Sequence, residues 1–414
     1  MPLHNWGGTY RYLADTVREP ETLDELSEIL RSADKVRVVV TRHSFTGIAD
    51  AETIVGLAGL GERFEFDRQS MTVTIDGAMT YGRLIELLAP HGLALQNLAS
   101  LAHVCIAGAV ATGTHGSGDT NGNLATAVVA AEIMNGRGEI VRIGRGDPHF
   151  AGVVVSLGAL GPTIALTLEV EKAYEVEQHV IDDVPLDDLV SDLDGVFASG
   201  YSVSAFTHWG DIAAQVWVKH RVGEERQRSP ALELAREATS PRHPVPGADV
   251  AACTEQLRQR GSWAERLPHF RVDAIPSAGA EIQSEYFVPR ESAVEAIAAL
   301  RAIGPRIQQA LLASEVRTVA ADSLWLSPCH ERSTVAFHFT WRPDERLAEA
   351  AATVVEEALR SFEARPHWGK LFTPAYSAIC DYPRRDDALG LIAEFDPRRV
   401  FENEWLRAEA LSAQ

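Results

Sequence analysis

The chain has 414 residues, 46% hydrophobic and 23% charged. This composition excludes disordered and fibrous classes and has room for roughly two to three domains. With 38 Lys plus Arg against 58 Asp plus Glu the formal charge is −20, so polyphosphate backbones and anionic lipid are repelled, and neither nucleic acid nor a membrane is expected as a partner. The cysteines Cys105, Cys253, Cys329 and Cys380 form no CxxC pair. That fits neither a zinc site nor a dense disulfide framework, so no metal and a cytoplasmic location are expected. The opening residues lack a basic stretch followed by an apolar one, so no secretory signal is expected.

In chain order, the first 170 residues alternate short strands and helices. Strands are predicted over 36–40, 71–75, 128–134, 139–143 and 163–170, and amphipathic helices over 23–30 and 81–88. The pair Asn135-Gly136 reads as a hairpin turn. From about Lys172 the texture changes. Strands are predicted over 201–209, 216–218, 315–320 and 335–341 and helices over 290–303 and 345–362, while 223–250, rich in charge, Pro and Gly, reads as a surface excursion. No repeat is visible, so solenoids and propellers are not expected.

Common catalytic motifs are missing. The nearest approach to a dinucleotide fingerprint, Gly113-Thr-His-Gly116-Ser-Gly118, has its spacing reversed, and no Walker lysine loop, HExxH or GxSxG occurs. Residues 87–118 contain no Asp, Glu, Lys or Arg, yet Gly, Ser, Thr, Asn, Gln and three His interrupt them too often for a membrane helix. Within them, ASLAHVCIAGAVATGTHGSG at 99–118 allows close backbone approach, and its amides suit a diphosphate; a packed glycine-rich core turn is the alternative. The loop TRHSF at 41–45 follows a predicted strand, where binding residues commonly stand, although a lone His is more often a structural loop residue.

Taken with RPHWGK at 365–370, Asn5-Trp6, EVRTVAAD at 315–322 and DPRRVFEN at 396–403, these motifs run over nearly the whole chain in order. The sequence resembles the alditol oxidase (xylitol oxidase) family, covalent-flavin oxidases of the vanillyl-alcohol oxidase superfamily. The resemblance implies an α+β, two-domain FAD-binding fold of the vanillyl-alcohol oxidase (PCMH) type with an α+β substrate cap. The implied division is 1–171 for the FAD domain, 172–375 for the cap and 376–414 for a return to the FAD domain.

The resemblance further implies an 8α-histidyl link between FAD and His43, for which a neutral imidazole is a competent nucleophile. Val40, Thr41, Arg42 and Ser44 flank it, and Thr41-Arg42 depart from the commoner Gly-x-Gly-His pattern, which leaves Arg42 open between diphosphate and solvent. Ser100, Cys105, Gly108, Thr112, Gly113, Thr114, His115 and Ile164 are the remaining implied cofactor residues; Cys105 reads equally well as a small buried hydrophobe. Glu315 and Arg317, at i and i+2, would share one strand face, as would His338 and Thr340. Either pair could be a polar sheet face; the resemblance makes them substrate residues together with Ser100 and Lys370.

The implied reaction is oxidation of an alditol C1 hydroxyl to the aldose. Arg317 and Lys370 contact that hydroxyl, Glu315 accepts from the next one, Ser100, His338 and Thr340 hold further hydroxyls, and oxygen is reduced to hydrogen peroxide. The small Ala99 mildly favours an oxidase over a dehydrogenase, and a monomer is expected. The alternatives are an aldonolactone oxidase or dehydrogenase of the same superfamily and, from another class, a flavin-free carbohydrate-binding protein.

Overall fold

Local signals set the first elements of the computed structural model, which describes residues 3–272, 280–377 and 382–410. Thr22 accepts a hydrogen bond from the Glu25 amide at 3.2 Å and caps α1 (Leu23–Ser32), which carries Asp24 and Glu25 in its first turn and Arg31 in its last and buries Leu26 and Leu30. This helix joins β1 (Thr16–Arg18) to β2 (Val36–Val38); with β3 (Thr53–Val55) they form a parallel sheet in the order β1-β3-β2. The strand predicted over 36–40 stops at Val38, where β3 ends at Val55, and residues 39–45 leave the sheet as a loop.

A five-stranded antiparallel sheet follows, from β4 (Phe64–Asp67), β5 (Thr72–Asp76), β6 (Val128–Met134), β7 (Ile140–Gly144) and β8 (Thr163–Glu169), in the order β4-β5-β8-β6-β7. Between β5 and β6 run α2 (Tyr81–Leu88) and the short α3 (Ile106–Ala111). The β6–β7 hairpin turns on Asn135, whose Oδ1 accepts from the amides of Arg137 and Glu139. Gly138 takes φ +75° there, a conformation costly for any side chain.

The third sheet has nine strands. Its principal members are β9 (Glu175–Pro185), β10 (Ser202–Thr207), β11 (Ile212–Arg221), β12 (Ile282–Pro289), β13 (Leu311–Val319) and β14 (Thr334–Trp341), ordered β9-β11-β10-β13-β14-β12. Helices α4 (Ala293–Ile307) and α5 (Glu345–Leu359) cover one face, where Ile297, Leu300, Val355 and Leu359 join the same core as Val316, Phe337 and Phe339. The other face is polar. Strands β9 and β12 have no predicted counterpart, because Gln178 and Asp182 in β9, and Ser284 and Glu285 in β12, are buried polar residues that break the apolar pattern.

The segment 223–250 is more than a surface excursion. It buries Ala231, Leu232 and His243 and brings Pro244 and Val245 to the main cavity. The chain then returns through α6 (Arg385–Phe395) to the first sheet, where the Val36 amide donates to Val400 O at 2.9 Å. Cys105, Cys253 and Cys329 are free and buried; Cys380 lies outside the described residues. Among the described residues no helix is long and apolar enough to cross a membrane.

Candidate active site

The loop after β2 and the polar face of the third sheet converge on one cavity of about 290 Å³. Its walls include Val40, Thr41, Arg42, His43 and Ser44 from the loop, Ser100, Cys105, Gly108, Thr112, Thr114 and His115 from the charge-free segment, and Glu315, Arg317, His338, Thr340 and Lys370 from the opposite side. Gly113 and Ile164 are not part of the lining. Gly113 turns at φ +66°, with space for a Cβ only 3.1 Å from Pro328. Ile164 packs into the cluster under α1, and its carbonyl accepts from the Gly77 amide at 3.0 Å.

Strand register assembles the sheet side. His338 lies opposite Glu315 of β13 and Glu285 of β12, and Thr340 lies opposite Gln283. With side chains alternating along each strand, Gln283, Glu285, Glu315, Arg317, His338 and Thr340 share one face. Glu285 is the centre of the cluster, and sequence reasoning missed it. Its carboxylate accepts from Lys370 Nζ at 2.6 Å and from the Arg317 guanidinium at 3.0 Å, and His115 Nε2 lies 3.2 Å away. Burial alone would raise its pKa, yet Lys370 and His115 hold it well below the usual carboxylate range.

The cations respond in opposite ways. Burial lowers the Lys370 pKa by more than Glu285 restores, whereas burial of Arg317 is outweighed by Glu315 and Glu285, which raise it. Lys370 Nζ also reaches His338 Nδ1 at 2.9 Å, and His338 Nε2 reaches Thr340 Oγ1 at 3.2 Å. An ammonium can only donate. The His338 proton therefore sits on Nε2, facing Thr340, and burial with Lys370 nearby pushes the ring down to about 4, so it is neutral at physiological pH. Glu315 accepts from His269 Nε2 at 2.8 Å and sits 3.4 Å from Arg317 Nε. Burial would raise Glu315, but Arg317 and His269 lower it overall.

Comparison with known proteins identifies the family of the chain. The sequence matches the family model described as FAD binding domain over residues 14–144 and that of D-arabinono-1,4-lactone oxidase over 278–409. It is 45% identical over 409 residues to the alditol oxidase of Streptomyces sp. (strain IKD472 / FERM P-14339), covering 97% of each chain. The chain belongs to the alditol oxidase family. It is thus a flavin-dependent oxidoreductase of the vanillyl-alcohol oxidase superfamily. More distant is the L-gulono-1,4-lactone dehydrogenase of Mycobacterium tuberculosis (strain ATCC 25618 / H37Rv), 27% identical with 97% of each chain covered. Cholesterol oxidase from B. sterolicum superposes with a TM-score of 0.77 at 15% identity, covering 99% of this chain and 96% of its own. A solvent-stable cholesterol oxidase gives 0.78 at 15%, covering 99% and 97%. These two share the fold of this chain.

The family's FAD fits the loop side of the cavity on three observations. His43 Nε2 is buried without a hydrogen-bond partner, while Nδ1 lies 3.0 Å from Thr41 Oγ1. Burial, aided by His103 and Arg42, pushes its pKa down to about 3, leaving a neutral imidazole. A Cβ added to Gly108 would meet nothing within 4 Å, so the backbone there borders open space. Arg42 sits at φ +60°, a left-handed backbone that glycine adopts more readily than any residue with a side chain. The Cys105 thiol donates to Gly77 O at 3.4 Å and is pushed up to about 11 by burial, which suits packing rather than redox chemistry.

Proposed function

We propose that the chain oxidises the terminal C1 hydroxyl of alditols such as xylitol and sorbitol to the aldose while oxygen is reduced to hydrogen peroxide. The observation that carries this reading is the row of Glu315, Arg317, His338, Thr340 and Lys370 across the cavity from His43. A wall of charged and hydroxyl groups suits an open chain of hydroxyls and penalises substrates that leave those groups unpaired. The relative named alditol oxidase supports it. FAD, when bound, accepts hydride from C1 and passes the electrons to oxygen.

In this reading His43, through its unpartnered Nε2, would hold FAD at the 8α carbon, and residues 40–44 with Cys105, Gly108, Thr112, Thr114 and His115 would hold the remainder of the cofactor. Arg317 and Lys370 grip the C1 hydroxyl and stabilise negative charge developing on its oxygen, in a site whose other counter-charges, Glu285 and Glu315, are already in place. Glu315 accepts from the next hydroxyl. Thr340 accepts from His338 and keeps its own hydroxyl proton for a substrate oxygen, and Ser100 faces the same space. The third sheet starting at Glu175, and the hydrogen bonds of Val36 and Arg37 in the first sheet to Val400 O and Phe401 O, support the division into 1–171, 172–375 and 376–414.

Oxygen uptake by the purified protein with xylitol, beside L-gulono-1,4-lactone and a blank, tests the proposal. Uptake with xylitol alone is expected. Uptake with the lactone alone would replace the reading with lactone oxidation, which the lactone oxidase model over 278–409 favours. Reduction of an artificial acceptor without oxygen uptake would make the enzyme a dehydrogenase.

A further inference from the structure

Behind Glu315 lies a buried cation that the chemistry above does not use. Lys219 on β11 is 1% exposed, and among the described residues no carboxylate forms an ion pair with it. Its ammonium donates to Leu267 O, to Pro268 O at 3.2 Å and to His269 Nδ1 at 3.3 Å. The His269 ring is itself buried, with Nε2 2.8 Å from Glu315 Oε1 and 3.4 Å from Ser204 Oγ. An ammonium has three donors and no acceptor. His269 Nδ1 must then be the bare nitrogen, and the ring proton sits on Nε2, donated to Glu315.

We propose that Lys219 is a positioning residue: by holding the His269 proton on Nε2, it fixes the Glu315 carboxylate as an acceptor for substrate hydroxyls, and it releases that hold when it loses its own proton. The consequence for substrate binding rests on the polyol reading of the site; the tautomer lock does not.

The surroundings make Lys219 able to titrate. Among the described residues the charged and titratable groups facing it are Glu315 and Arg317 from β13 and Cys253 and His269 from the segment before residue 273, whereas its register partners Gln178 and Ser202 are neutral. Burial, only partly offset by Glu315 and reinforced by Arg317, lowers it to about 7. His269 is lowered to about 4 by burial and Lys219, so its ring is neutral throughout the window concerned. As a neutral amine, Lys219 can accept a proton from Nδ1–H. The Nδ1–H tautomer, which an ammonium facing Nδ1 forbids, then becomes accessible; in it a lone pair on Nε2 faces the Glu315 carboxylate and that hydrogen bond is lost. Lys370, which acts at C1, is not in this chain of donors, and Arg317 meets it only at Glu315 Oε1, 3.4 Å from its Nε.

Steady-state kinetics of the holoenzyme with xylitol from about pH 6 to pH 9 test the proposal, using wild type, Lys219→Met and Lys219→Arg. The wild-type KM should rise about tenfold with pH, the loss of one charge-assisted hydrogen bond, with kcat held within about threefold. Lys219→Met should show the high KM throughout, and Lys219→Arg, charged at every pH, a low and flat one. In parallel, ¹⁵N shifts of ring-labelled histidine at about pH 6 report the tautomer, with the His269 signals found by their loss in His269→Gln. Wild type should carry the proton on Nε2 only, and Lys219→Met, with no donor facing Nδ1, should show a share of it on Nδ1.

A flat wild-type KM, a Lys219→Met enzyme with wild-type KM, or a His269 proton on Nδ1 would each overturn the inference. If Lys219→Met does not fold, the Lys219→Arg profile and the wild-type tautomer still decide. If wild type turns over no alditol, the polyol reading falls and the ¹⁵N shifts alone decide the lock.

Discussion

Replacing Lys370 with Met removes an ammonium that lies 2.6 Å from Glu285 Oε2 and 2.9 Å from His338 Nδ1. Stripping one partner from a buried ion pair costs about 3–5 kcal/mol when the other charge is left bare. Glu285 keeps Arg317 at 3.0 Å, so a smaller loss, about 2 kcal/mol, is expected, read as a lower urea midpoint. The reaction should suffer more. A preorganised cation facing developing charge in a water-excluded site is worth about 2.7–4 kcal/mol, or 10²–10³ in rate. His338 also loses the donor that keeps its proton toward Thr340. Anaerobic stopped flow with saturating xylitol, following flavin absorbance, should show reduction slowed about 10²–10³-fold with flavin content unchanged. Reduction within about threefold of wild type would refute the role given to Lys370, and so would a defect confined to reoxidation by oxygen. Adding Glu285→Gln to Lys370→Met should cost less stability than Glu285→Gln alone, because the pair is already broken.

His43→Ala should release all flavin into the supernatant after acid precipitation; flavin retained by the denatured protein would remove His43 as the attachment point. Arg42→Gly should relieve the left-handed backbone at φ +60°, a gain of about 1 kcal/mol seen as a modestly higher Tm, and an unchanged or lower Tm would show that no strain is held there. Stability should fall on acidification. His269 and His338 titrate near about 4 in the fold but near about 6.5 when unfolded. The unfolded chain binds more protons between those values, so stability is full above about pH 6.5 and is lost as pH drops toward about 4. Equal melting temperatures at about pH 7.5 and pH 5 would contradict this linkage.

Much of this site can be read from the residues themselves. The i, i+2 spacing of Glu315 and Arg317 and of His338 and Thr340 places each pair on one strand face, and register then sets Glu315 opposite His338. Glu285 escaped because β12, reading Ile-Gln-Ser-Glu-Tyr-Phe-Val-Pro, shows no apolar alternation: both of its faces are buried, one against helices and one against cations supplied from 32 and 85 residues away. The spacing of Gln283 and Glu285 is the one signal that could have found it. His269 and Lys219 carried no local signal, since their pairing depends on a loop folding back onto β11. Pro244 and Val245 were hidden for a similar reason, because a Pro-rich and charged composition does not show which part of a long connection turns inward.

Phe401 and Asn403 brace the chain on either side of the loop that bears His43. Asn403 Nδ2 donates to Gly47 O at 2.8 Å and Asp50 O at 2.7 Å, and Arg37 donates to Phe401 O at 3.0 Å, across more than 350 residues of chain. A polypeptide leaving the ribosome makes its first sheet early but has nothing to seat that loop until this distant stretch is synthesised. Contacts of such sequence separation form slowly. The loop that bears His43 is therefore among the last parts of the molecule to be completed, and with flavin attachment at His43, as proposed, loading of the cofactor belongs after translation rather than during it.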